Sequence, residues 1–193
     1  MKLYVIRHGE SEGNQLGVFS GWHQHNLTEK GREDARTAGR IVSKVKFDKV
    51  YSSDLYRAIE TAKIALPDYE CEPTPLIKEI NVGLLQEMTY EKAREKYGHL
   101  YKKPNGNDYG EIGGESFDDL YKRIQEFLDN LAASHFKNVA AFCHGGTMRA
   151  IYRIVMGKES NSNNLDCPNC CISVFEYKND RWILKTWNYT EEI

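Results

Sequence analysis

Apolar residues recur along this chain with two spacings, and the spacing switches several times. Lys2-Leu3-Tyr4-Val5-Ile6 is a β-branched and aromatic run, which predicts a short buried strand over Leu3 to Ile6. A polar, glycine-containing stretch follows. Thr28 then stands where an N-cap belongs, ahead of a helical stripe of Ala35, Ala38, Ile41 and Val42. Phe47 to Ser53 reads as a second strand, and Asp54 as the cap of a helix carrying Leu55, Ile59, Ala62 and Ala65. Pro67, Pro73 and Pro75 break the chain into an extended segment ending near Ile77.

Between about Gly83 and Gly114 the periodicity fades. A short helix is expected around Thr89 to Lys96, and turn formers and tyrosines fill the rest. A long aperiodic segment inside a compact domain is read as a lid or specificity loop. Ser116 opens a strong helix with Phe117, Leu120, Ile124, Phe127, Leu128 and Leu131 in register and Asp119 at the capping-box position. Asn138 to Cys143 is a continuous apolar run suited to a central strand. A helix closed by Gly157 follows, and Lys178-Asn179-Asp180 joins a final hairpin. Strands alternating with helices predict an α/β three-layer sandwich. Its central sheet is mostly parallel, with helices on both faces and an antiparallel edge strand.

Composition changes this picture little. A chain of 193 residues fits one domain spanning 1–193. A net charge of −2 argues against nucleic acid and anionic membrane as partners. No apolar run approaches the roughly 20 residues of a membrane span, and no signal peptide is evident, so a cytoplasmic protein is expected. Five cysteines, an odd number, point to reduced thiols. For Cys167 to Cys171 (CPNCC), a metal or redox role lacks a second ligand pair, and packing at the start of a strand is favoured.

The chemistry concentrates at predicted strand ends. LYVIRHGES and VAAFCHGGT each run an apolar strand into a histidine and then a glycine, at His8 and His144. Ligands of open parallel sheets bind beyond the carboxyl ends of strands, so the two histidines have a route into one crevice. Gly9 and Gly145 would allow close approach, and a helix starting after His144 would aim free N–H groups at an anion. Arg7 and Arg57 add bidentate donors that stay charged near neutral pH. Phosphate is the foremost candidate ligand.

At this point the chain resembles a known family. RHGES at Arg7 to Ser11, SSDLYRAIETA around Arg57, GGES at Gly113 to Ser116 and CHGGTMR at Cys143 to Arg149 are similar to motifs of the histidine phosphatase (phosphoglycerate mutase-like) superfamily. The likeness spans nearly the whole chain, including LTEKGREDA at Leu27 to Ala35. It implies that His8 is the nucleophile and becomes phosphohistidine, with Arg7, Arg57 and His144 holding the phosphoryl oxygens. It implies Asn14 as an uncharged donor and Glu79 as the general acid. Ser20, Gly21, Gly145 and Thr147 are further expected substrate contacts. Where the family often continues with an aromatic-Glu-Gly triplet, this chain has Leu85-Gln86-Glu87, so Glu87 competes with Glu79 for the acid role.

The expectation is a metal-independent phosphomonoesterase for a small phosphorylated metabolite, with no cofactor. FSGWHQHNLTEKG is similar to a segment of the cofactor-dependent mutases, which use a bisphosphate primer. Their central insertion implies an adjacent arginine pair, whereas residues 83–114 here contain one arginine, Arg94. That difference favours hydrolase over mutase. A non-catalytic phospho-ligand binder is the third reading, opposed by the complete set of site residues. Substrate identity and oligomeric state stay open.

Overall fold

A computed structural model describes residues 1–102, 108–157, 160, 162 and 165–189. Six strands, β1 (Lys2–Arg7), β2 (Lys49–Ser53), β3 (Cys71–Thr74), β4 (Asn138–Cys143), β5 (Ile172–Lys178) and β6 (Arg181–Tyr189), form one sheet in the order β3-β2-β4-β1-β5-β6. The pairs β3–β2, β2–β4 and β4–β1 are parallel, while β1–β5 and β5–β6 are antiparallel. The helices are α1 (Glu12–Gln15), α2 (Glu29–Ile41), α3 (Tyr56–Ala65), α4 (Tyr90–Tyr97), α5 (Phe117–Ala132) and α6 (Gly145–Met156).

The chain moves outward from β1 to β3 and then returns to insert β4 between β2 and β1. Right-handed crossovers put the outbound and returning helices on opposite faces. One core cluster packs α2 and α3 against Tyr4, Ile6, Ala140 and Phe142. The other packs α5 and α6 against Leu3, Val5, Val139 and Ala141. Both central strands are therefore apolar on alternate sides, which is why they read as continuous runs.

Local chemistry explains most element limits. Thr28 caps α2 by accepting from Gly31 N at 3.1 Å, and Ser116 with Asp119 forms the capping box of α5. Pro73 lies in β3, an edge strand where a missing N–H is tolerated. Asn179 and Asp180 take φ of 52° and 56°, the left-handed pair a tight hairpin turn requires. Asp54 does not cap α3 as expected. Leu55 occupies the cap position without a side-chain bond, and Asp54 instead pairs with Lys78 at 2.9 Å. Within 83–114 the helix α4 is present, flanked by short 3-10 turns at Gly83–Leu85, Gly98–Lys102 and Gly110–Ile112. No helix among the described residues is long and apolar enough to cross a membrane.

Candidate active site

The insertion of β4 beside β1 creates the site. Arg7 pairs with Cys143 across the two strands, so His8 and His144 lie one residue beyond adjacent strand ends. His8 N donates to Cys143 O at 2.9 Å, and the two rings stand 5.1 Å apart, tilted by 55°. Both histidines are buried. His8 Nδ1 lies 2.7 Å from Gly9 O. A carbonyl can only accept, so Nδ1 carries the proton and Nε2 keeps its lone pair. Burial, followed by the charges of Arg57 and Arg7, holds the His8 pKa well below the ordinary histidine range. His144 is pushed down in the same direction by burial, then by Arg57, His8 and Arg7. Both rings are therefore neutral near pH 7.

The cations are held by backbone oxygens. Arg57, 1% exposed, donates from Nη1 to His23 O at 2.9 Å and from Nη2 to Gly21 O at 2.8 Å. Burial lowers its pKa to about 10, which still leaves it charged at neutral pH. Arg7 donates from Nη1 to Cys167 O. The Nε atoms of Arg7 and Arg57 and both ring nitrogens of His144 are buried without partners. Leaving such groups unsatisfied costs about 1–3 kcal/mol each, and an oxyanion would satisfy several at once.

Glu79 is fixed from several sides. Its Oε2 accepts from Gly146 N at 3.1 Å and its Oε1 from Ile80 N at 2.9 Å. Its carbonyl accepts from Trp22 Nε1 at 2.7 Å and from Arg123 Nη2 at 3.0 Å. A Cβ at Gly146 would stand 2.2 Å from Glu79 Oε1, so this close approach requires the glycine. Glu87 is elsewhere: its side chain is 58% exposed, pairs with His23 at 3.3 Å and is not among the cleft-lining residues.

These groups open onto a cleft of about 300 Å³, lined at its base by Arg7, His8, Arg57, Glu79, Gly145 and Gly146. Asn14, Ser20 and Gly21 line it from the loop after β1, and Tyr90 and Tyr109 reach it from the 83–114 segment. Asn14 Oδ1 accepts from Ser11 N at 3.1 Å and from Asn169 Nδ2 at 3.2 Å, which leaves its NH₂ available as a donor. Thr147 is fully buried, and its hydroxyl donates to Lys78 O at 2.9 Å rather than lining the cleft. Of the loop residues that could select a substrate, Phe19 and Tyr109 line the cleft, whereas Leu84 is exposed at 65% and is not part of the lining. The side chain of Tyr101 falls outside the described residues.

Two arginines were missed by sequence reasoning. Arg149, one helical turn beyond Gly145, lines the cleft, and the i, i+4 spacing was the available signal. Arg123 braces Glu79 from α5, and nothing local marks it. The CPNCC segment packs as expected, with Cys167 Sγ 3.5 Å from Cys171 Sγ and 3.4 Å from Met148 Sδ in the core. It also braces the site, because Asn169 Nδ2 and Cys170 N both donate to His8 O.

Fold and site together define an α/β protein whose buried arginine and histidine nitrogens gather where the strand order reverses. The sequence profile of the histidine phosphatase superfamily (branch 1) matches residues 3–190, and the chain belongs to that superfamily of enzymes. It is 33% identical over 196 residues to a metal-independent phosphoserine phosphatase of Arabidopsis thaliana, covering 97% of this chain and 81% of that one. It is 31% identical over 175 residues to the 2,3-bisphosphoglycerate-dependent phosphoglycerate mutase of Bartonella bacilliformis, covering 82% of each. Among solved structures, the phosphoserine phosphatase of Entamoeba histolytica in complex with 3-phosphoglyceric acid superposes with a TM-score of 0.86 at 25% identity. That match covers 98% of this chain and 97% of the other.

Proposed function

We propose that this protein is a metal-independent phosphomonoesterase that acts on a small phosphorylated metabolite through a phosphohistidine at His8. One observation carries the reading: His8 presents an unprotonated Nε2 beside the buried, unpartnered nitrogens of Arg7, Arg57 and His144. Nε2 attacks phosphorus in line with the ester oxygen, and the P–O bond breaks as the N–P bond forms. Arg7, Arg57, His144 and the Asn14 amide meet the non-bridging oxygens, and the α6 N-terminus adds a partial positive charge. Glu79 gives its proton to the departing alkoxide. Glu79, now a carboxylate, then takes a proton from the water that attacks phosphorus and releases phosphate and free His8.

Hydrolysis is favoured over mutase transfer by the character of the upper wall. Ile80, Val82, Tyr90 and Tyr109 form it, while Arg94, the one arginine of 83–114, is not among the cleft-lining residues and lies with Glu91 and Glu95 in a depression on the other side of Tyr90. Such a wall suits an organic leaving group better than a second phosphate. Among the described residues, Arg149 is the one added cation lining the cleft, and it suits a carboxylate-bearing substrate. Phosphoserine therefore heads the substrate panel.

The test measures phosphate release from phosphoserine, 3-phosphoglycerate, a sugar phosphate and a nucleotide, all in chelator. Wild type is expected to turn over one of them, and His8→Ala to lose at least about a thousandfold while remaining folded. Substantial activity in His8→Ala ends the phosphohistidine reading. Isomerisation of 3-phosphoglycerate that depends on a bisphosphate primer would instead establish a mutase.

A further inference from the structure

His23, His25 and Glu87 lie beside the cleft and have no role in the chemistry above. They bring one donor atom each to within 4.8 Å of one another, the one such grouping of His, Cys, Asp or Glu among the described residues. We propose that these side chains form a binding site for a borderline divalent transition metal, zinc above all, and that occupation of the site acts on the phosphate grip through Arg57.

Two imidazoles and a carboxylate are a donor set that zinc accepts, with a fourth position left to water. Ligands about 2.0–2.1 Å from a tetrahedral zinc stand about 3.3 Å from each other. His23 Nε2 and Glu87 Oε1 already have that spacing, at 3.3 Å. The two imidazole rings are 4.6 Å apart between centroids. His25 is 5% exposed and its Nε2 has no hydrogen-bond partner.

The chain invests in this arrangement. A Cβ at Gly13 would stand 2.6 Å from His25 Cδ2, so the ring packs where only glycine fits. Glu87 sits at φ 63°, unusual for a glutamate, and its N–H is bound to Phe19 O at 2.8 Å. The segment bearing the two histidines also holds Arg57, which donates to Gly21 O and His23 O. Ligation would draw in donors that now stand up to 4.8 Å apart, and the His23 carbonyl, which accepts from Arg57 Nη1, links that movement to the guanidinium. Zinc is accordingly expected to slow phosphate release.

The site does not depend on the phosphatase reading, and the binding measurement needs no activity. Zinc chloride is titrated calorimetrically into the chelator-stripped chain. Wild type and Cys170→Ser are expected to bind one ion per chain. His23→Gln and Glu87→Gln, both at exposed or half-exposed positions, should bind it at least about tenfold to a hundredfold more weakly, the loss that even an outer-shell partner causes. No saturable binding by wild type overturns the proposal, as does binding that survives both substitutions or disappears in Cys170→Ser. The ratio of phosphate-release rates with and without zinc is then compared between wild type and Glu87→Gln. A fall confined to wild type supports the coupling to Arg57, and equal ratios overturn it.

Discussion

In the proposed mechanism Glu79 and His8 divide the chemistry between a proton and a bond, and the surroundings of each fit that division. Glu79 is held against Gly146 N and Ile80 N, with its backbone pinned by Trp22 and Arg123. If it protonates the leaving oxygen, the need for it depends on that oxygen's basicity. Glu79→Gln is expected to lower kcat by about 10²–10⁴ on an alkyl phosphate. On p-nitrophenyl phosphate, whose leaving group needs no proton, the loss should be far smaller. Equal losses on both substrates would make Glu79 a positioning residue rather than the acid. The choice between Glu79 and Glu87 was open in the sequence because both sit in aperiodic segments, where no pattern says which way a side chain faces.

At the scale of elements, the candidate site is braced from α5, a helix that contributes no residue to the cleft lining. Arg123 of α5 uses all five of its N–H donors. Nε and Nη2 hold Glu115 at 2.8 and 3.0 Å, Nη1 reaches Leu76 O and Lys78 O at 3.0 and 2.7 Å, and Nη2 reaches Glu79 O at 3.0 Å. Arg123 and Glu115 are only 15% and 14% exposed, so removing one strands the other in a poorly solvated place. Arg123→Ala is expected to cost about 3 kcal/mol of unfolding free energy by denaturant titration. It should also lower kcat more than it raises KM, because the Glu79 segment loses its anchor. Arg123→Lys, lacking the planar fork, should recover only part of either effect. A purely structural Arg123 would lower stability and leave kcat per folded molecule unchanged.

For the whole molecule, the two buried neutral histidines link folding to pH. In the folded state His8 and His144 titrate well below the ordinary histidine range, whereas in the unfolded chain they titrate near 6.5. Above about pH 6.5 neither state binds these protons, and their contribution to stability is fully present. As pH falls below that value the unfolded chain takes up protons that the folded protein refuses. Unfolding free energy should then drop by up to about 1.4 kcal/mol per pH unit for each histidine. Denaturant titrations at several pH values between 7.5 and 5 check this, and His144→Gln should reduce the slope by one proton's worth. A flat profile would mean that the site accepts protons when folded.

What the sequence alone determined was local and periodic. The switch between helical and strand spacing located β1, α2, β4, α5 and the closing hairpin, because burial on one face imposes that spacing on any chain. The motifs at Arg7 to Ser11 and Cys143 to Arg149 marked strand ends rich in histidine and glycine, and their order along the chain pointed to the family. Tertiary structure alone decided that β4 enters between β1 and β2 and so makes His8 and His144 neighbours. It selected Glu79 over Glu87 at the cleft, turned Asp54 from a helix cap into an ion-pair partner, and recruited Arg123 and Arg149. It also gathered His23, His25 and Glu87 at one point. The physical reason is common to all of these. A residue's own backbone preference and burial are written in its near neighbours, whereas a contact across sixty positions depends on strand order and loop packing, which no local pattern encodes.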